Sequence, residues 1–395
     1  MKKRMIAVLL VAISLSMTAC GDKENPIEAT NPPSQSSIQE EIPSPITYAP
    51  KLDDTSIIVL TQEDVAALLP GFGELKHITD SEESPVVYMT TDISPEGLMA
   101  AYKALGRIPT GNVAIKLHTG EGVNSYNLEP DFIKNLVQSV NGTIVECNTA
   151  YGGSRASTAL HMQVARDRGY TAIAPVDIMD ADGGVEIPVV GGKRLDKNQV
   201  GAHFINYDFF IMLSHFKGHL LGGFGGALKN MSIGIASREG KSLIHTAGAD
   251  NRGLGFNTPA DVFTECMAEA AKSVCDYLDS GNKLLCINVV NNISVDCDCN
   301  ANPAKPDMHD IGILASLDPV ALDQACVDLI YAAPDSASVI RRIESRNGTH
   351  ILEHAEAIGF GSREYRLASI DRAIDKSSVD RAGKLKATWS EIKKR

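Results

Sequence analysis

The chain has 395 residues with a formal net charge of −12, 22% charged residues and only 5% aromatic ones. An acidic chain with no basic stripe and no basic–aromatic interleaving excludes nucleic acid as a partner. Its eight cysteines are too scattered for a disulfide framework, and its length suits one large or two medium domains rather than a small stapled one.

The first residues, Met-Lys-Lys-Arg-Met, precede an apolar run from Ile6 to Met17 and then Thr18-Ala19-Cys20. A basic start, a short apolar core and small residues before a cut are the parts of a secretory signal, predicted over 1–19. The run falls short of the roughly 20 residues a membrane-spanning helix needs. Cys20 directly after Thr-Ala resembles the bacterial lipobox, which implies lipidation of that thiol and anchorage to the cell membrane, facing the outside of the cytoplasm. Residues 20–56 include Asn31-Pro32-Pro33-Ser34-Gln35-Ser36-Ser37 and read as a disordered tether, since they bury too little apolar surface to offset ordering entropy. Cleavage removes Lys2, Lys3 and Arg4 and takes the net charge from −12 to −15.

The body, 57–375, alternates strand-length apolar runs with helical patterns. Ser94-Pro95-Glu96 opens a helix that Gly106 closes. Strand Val113 to Leu117, helix Glu129 to Val140, strand Thr143 to Cys147 and helix Ser157 to Arg168 follow. Phe209 to Leu213 is a buried strand, Ala260 to Leu278 a long helix, and Leu284 to Val290 and Ile311 to Ala315 are strands. Asp318-Pro319 caps a helix through Tyr331, and the tail 376–395 is expected to be helical. This alternation predicts an α/β fold with a mostly parallel sheet covered by helices, built as one large or two interleaved subdomains. Ligands in such folds bind beyond the carboxyl ends of strands, here the loops after Leu117, Cys147 and Leu213.

After Leu213 the sequence runs Ser214-His215-Phe216-Lys217-Gly218-His219-Leu220-Leu221-Gly222-Gly223-Phe224-Gly225-Gly226-Ala227-Leu228-Lys229-Asn230. Clustered glycines let backbone approach a ligand closely. The histidines and lysines offer bases, neutral ligands and an anion-binding or nucleophilic amine. A phosphate loop would end in Gly-Lys-Ser/Thr, which is absent. Gly225 and Gly226 are expected to turn backbone N–H groups toward the floor of a crevice shared by His215, His219, Lys229 and His245.

His215-Phe216-Lys217-Gly218-His219 with Gly222 to Asn230 resembles the signature of the uncharacterised proteins grouped as domain of unknown function 362, some labelled Fe-S centre proteins. The likeness continues through Glu146-Cys147-Asn148-Thr149-Ala150-Tyr151-Gly152-Gly153-Ser154-Arg155, Asp296-Cys297-Asp298-Cys299 and Asp318-Pro319-Val320-Ala321-Leu322-Asp323. It covers roughly Val86 to Gly361 and implies no activity. Gly223-Phe224-Gly225-Gly226-Ala227-Leu228-Lys229 with Gly234-Ile235 is also similar to a segment of the nickel-pincer lactate racemase family, and implies a racemase-like three-layer fold. That similarity carries the cofactor lysine onto Lys229, the nickel ligand onto His245 and one acid/base onto His219. The racemase acid-Arg-Pro motif is missing. Lys116-Leu117-His118-Thr119-Gly120-Glu121 stands in its place and offers His118 as the second acid/base.

Cys297 and Cys299 read three ways. They are metal ligands completed by an imidazole or carboxylate such as His309, Asp307 or Asp310, a redox pair, or thiols of an exposed acidic turn. Arg155 on a strand-end loop suits an anionic ligand. Asp318 and Asp323 most simply cap and solvate a helix.

Together these readings predict an extracytoplasmic, metal-dependent enzyme acting on a small anionic metabolite, with His219, Lys229 and His118 in the chemistry. Lys229, Gly223, Gly225, Gly226 and Arg155 would hold cofactor or ligand, and His245, Cys297 and Cys299 the metal. The competing class is a metal- or metabolite-binding lipoprotein serving a transporter or partner complex. The signal lacks the twin arginine of folded, cofactor-loaded cargo. That favours a zinc, iron or nickel ion acquired outside over an Fe-S cluster or nickel-pincer nucleotide.

Overall fold

The computed structural model describes residues 57–371 apart from 123–124, 250–252 and 254–256. The signal, Cys20, the tether and the tail lie outside the described residues.

The strands in chain order are β1 Ile58–Val59, β2 Val86–Thr90, β3 Val113–Lys116, β4 Thr143–Glu146, β5 Val176–Ile178, β6 Gly184–Pro188 and β7 Lys197–Gly201. They continue with β8 Phe209–His215, β9 Lys217–His219, β10 Gly223–Gly225, β11 Leu284–Val290, β12 Gly312–Ser316 and β13 Arg366–Ser369. Nine of them form one sheet in the order β1-β13-β2-β12-β11-β8-β3-β4-β5. Five of its eight pairings are parallel, and β11, β8, β3, β4 and β5 form an unbroken parallel block. The α/β fold with a mostly parallel sheet is therefore what the chain adopts.

Alternation along the strands builds two cores. Phe209, Ile211 and Leu213 face one side with Leu98, Ile133 and Leu136, while Phe210 and Met212 face the other with Met231, Phe263 and Cys266. Helices Pro95–Ala104 and Pro130–Ser139 thus cover one face, and Ala227–Ser232, Ala260–Tyr277 and Pro319–Ala332 the other. Locally the expected signals operate: Ser94 accepts the Gly97 N–H, and Asp318 accepts those of Val320 and Ala321.

Three expectations change. β8 runs two residues past Leu213, because His215 continues its ladder beside Val289. The glycine run is not a single loop but an antiparallel hairpin, β9 with β10, followed by the helix Ala227–Ser232. Asp323 is not solvated: it is fully buried and caps that helix from 96 residues away, accepting the Ala227 N–H at 2.7 Å and binding the side chain of Asn288.

Candidate active site

The parallel block ends on one edge, and a cavity of about 510 Å³ opens there. This lies within the usual range, about 300–1,000 Å³, for a small-molecule site. Its walls come from the ends of β3, β4 and β8, the β9–β10 hairpin, helices Ala227–Ser232 and Arg238–His245, and the Asp296 to Ala301 turn. His118, His215, His219, Lys229 and His245 all line it, with Cys297 and Cys299.

A buried ion-pair network holds the inner wall. Lys116 donates to Glu146 at 2.8 Å and to Asn230 at 3.1 Å, and Arg155 donates to Glu121 at 2.8 Å and Glu146 at 3.3 Å. Burial alone would raise the Glu146 carboxyl, but Lys116 and its other partners outweigh it and hold it well below the carboxylate range. The Asn230 amide donates in turn to the Lys116 carbonyl at 2.9 Å and the Ser214 hydroxyl at 3.1 Å, tying the helix that carries Lys229 to the ends of β3 and β8. Arg155 lines the cavity as expected, yet its guanidinium is turned into two carboxylates rather than toward a ligand.

The middle of the cysteine turn is buried, at Cys297 and Asp298, while Asp296 and Cys299 are half-buried. Asp298 is 3% exposed and accepts Lys217 Nζ at 2.7 Å and His215 Nδ1 at 3.1 Å. Burial raises its carboxyl, but His215 and Lys217 overcome this and hold it ionised. Both nitrogens of His215 face oxygens, Nδ1 the Asp298 carboxylate at 3.1 Å and Nε2 the Asn291 carbonyl at 2.8 Å. Asp296 pairs with Arg342 at 3.4 Å. With both flanking aspartates anchored, Cys297 and Cys299 are presented to the cavity, where their sulfurs are bonded to each other. The expected completing ligands are elsewhere: His309 pairs with Asp335 at 2.7 Å, and Asp310 accepts the Asn292 N–H at 2.6 Å. The imidazole beside the cysteines is His219, one of whose ring nitrogens lies within 4.8 Å of both sulfurs.

The three other histidines differ in what they present. Gly120 N–H donates to His118 Nδ1 and Gly222 N–H to His219 Nδ1, both at 2.9 Å. A neutral ring then carries its proton on Nε2 and acts as a donor. In His245 the order is reversed: Nδ1 lies 2.6 Å from the Lys241 carbonyl, which can only accept, so Nε2 is the bare nitrogen. All three are neutral at ordinary pH. Burial drives His118 and His219 well below the usual histidine value, assisted by Arg155 and Lys229 respectively, and pushes His245 down to about 4.

Lys229 is pushed down to about 8 by burial, and its Nζ lies 4.0 Å from the Cys297 sulfur. Lys241, absent from the sequence reading, donates to the Ala236 carbonyl at 2.5 Å. Neither lysine has an ion-pair partner among the described residues. Both Gly225 and Gly226 line the cavity; a Cβ on Gly225 would lie 2.8 Å from Lys229 Cδ, and one on Gly226 would run into the Asp323 carboxylate, so they make room for Lys229 and for the helix cap. Gly223, at φ +80°, packs against Gly348 and does not line the cavity.

The hairpin, the cavity lysine and the cysteine turn fall within one matched segment, residues 113–328, whose family is described as a domain of unknown function (DUF362). The chain belongs to this family. No curated protein matches it. Among solved structures it is similar to the lactate racemase apoprotein from Thermoanaerobacterium thermosaccharolyticum, at 15% identity over 62% of this chain and 56% of that one, with a TM-score of 0.35. It is also similar to a Thermotoga maritima protein, at 11% identity over 59% of this chain and 57% of that one, with a TM-score of 0.38. The chain thus spans little more than half the length of each.

Proposed function

We propose that the chain is a lipid-anchored, extracytoplasmic enzyme that holds a small organic anion beside a divalent metal ion and performs proton chemistry on it. One observation carries this reading. Each cavity carboxylate, Glu121, Glu146, Asp296 and Asp298, is ion-paired, whereas Lys229 and Lys241 are not, so the cavity holds an excess of positive charge beside the neutral rings of His118, His219 and His245. The membrane anchorage rests on Cys20 and its signal alone.

The residues present fit a zinc, iron or nickel ion. Once a dithiol reductant has opened the Cys297–Cys299 bond, taking the disulfide itself, the two thiolates with His219 give a two-sulfur, one-nitrogen set that leaves a fourth position open. Ligation through His219 Nδ1 would forfeit the Gly222 hydrogen bond, a loss of about 1 kcal/mol. That is small beside the ~10 kcal/mol or more of a thiolate metal site. The ion would supply Lewis acidity toward the anion. A cubane cluster fits poorly: it wants four thiolates, and the further cavity cysteine, Cys147, donates its thiol to the Ile235 carbonyl and is held protonated by burial. A nickel-pincer nucleotide would find Lys229 and His245 on one cavity, as the racemase resemblance requires, but no counterpart of the acid-Arg-Pro motif.

In this account Lys229 and Lys241 hold the anion and His118 donates a hydrogen bond from Nε2. His245, whose Nε2 is bare, accepts a proton. His245 thus takes the base role, and His118 that of donor. A binding lipoprotein without catalysis is the second reading, favoured by how little base there is beyond His245. Solvent-deuterium uptake separates the two. Incubating the metal-loaded chain in D2O with a panel of 2-hydroxy and 2-oxo carboxylates should wash deuterium into at least one, and His245→Gln should stop it. No uptake across the panel, with binding intact, would leave only the binding reading.

A further inference from the structure

The charged floor of this cavity lies under an apolar mouth. Lys241 is 8% exposed and Lys229 only partly so, while Leu220 is 53% and Tyr151 37% exposed, and all four line the same cavity. Leu220 sits at the tip of the β9–β10 turn, which the bond from Gly222 N–H to His219 Nδ1 closes, so the side chain is held outward by the geometry that positions His219. The Tyr151 hydroxyl donates to the Cys299 carbonyl at 3.2 Å, tying the ring to the cysteine turn. Leu221 and Ile233 continue the apolar wall between floor and rim. A small hydrophilic anion would leave this surface wet. A ligand with charge at one end and hydrocarbon at the other satisfies both levels.

We propose that the cavity takes a monocarboxylate bearing an unbranched apolar chain, with the carboxylate inward at Lys229 and Lys241 and the chain rising between Leu220, Leu221 and Tyr151. This names the ligand class of the site proposed above and rests on its anion-binding reading. Affinity should then climb with chain length, by up to about fourfold for each methylene buried.

The test is calorimetric titration of the full, membrane-extracted chain in nanodiscs with acetate, butyrate, hexanoate and octanoate, against empty nanodiscs as the blank. Wild type should bind each acid more tightly than the one before. Lys229→Ala should lose binding across the series, and Leu220→Ser should weaken octanoate by about fivefold. Equal affinity from acetate to octanoate would overturn the apolar wall and leave the anion site standing. Lys229→Ala binding octanoate as well as wild type would overturn the orientation. Failure of every acid to bind would take down the anion reading itself, and this inference with it.

Discussion

Lys229 Nζ lies 4.0 Å from the sulfur of Cys297, so the helix after the glycine hairpin and the cysteine turn meet at one point of the cavity. The two segments are 68 residues apart in sequence. What fixes the turn is Asp298, and what fixes the helix is Asp323.

Asp298 anchors the turn through its buried bonds to Lys217 and His215. Asp298→Ala would strand the Lys217 ammonium without its counter-charge, and losing one partner of a buried pair costs about 3–5 kcal/mol. Urea unfolding should show a loss of that size; one below about 1 kcal/mol would mean the turn is held by something else.

Asp323 makes stability depend on pH. Burial pushes its carboxyl up to about 6 from 3.8, against its bonds to Leu228, Asn288 and Ala227. The folded chain therefore holds the proton more tightly than the unfolded one. This group's contribution is fully present below the unfolded value and is lost as pH rises through about 6. The shift corresponds to on the order of 3 kcal/mol. Asp323→Asn should flatten the stability profile between pH 4 and 7, and a profile parallel to wild type would contradict the assignment.

Distance and protonation favour different imidazoles for the metal. His219 is beside the sulfurs, while His245 has the bare nitrogen. We expect His219→Gln to weaken zinc binding by the reduced chain more than tenfold and His245→Gln to change it by less than threefold. The reverse order, read by competition with a chromophoric chelator, would reassign the ligand to His245.

Anchorage has its own test. The wild-type chain should partition with membranes and detergent, and Cys20→Ala should release it or leave its signal uncleaved. An intact 42.3 kDa chain found soluble in the cytoplasm would contradict the lipoprotein reading.

Legibility followed locality. The sequence predicts Leu284–Val290 with the bounds it has, because a fully buried strand announces itself in consecutive apolar residues. The helix Ala227–Ser232 could not be read, since its N-terminus is capped by Asp323, 96 residues on, instead of by a neighbour. Lys116 and Glu146 pass as ordinary strand residues until β3 and β4 bring them together across 30 positions. The cysteine turn looked exposed because its composition is acidic, and only the fold places Lys217 and His215 against it. Lys241 carried no signal beyond its position one helical turn before His245, whose Nδ1 its carbonyl accepts.

The most direct test of the central claim is elemental analysis of the natively expressed, membrane-extracted chain, kept reduced, beside its Cys297→Ser/Cys299→Ser variant. The account predicts about one divalent ion per wild-type chain and little in the double variant. The variant should also remain folded, because its cysteines contact the cavity rather than the packed core. A metal-free wild type, or equal metal in both proteins, would contradict the claim.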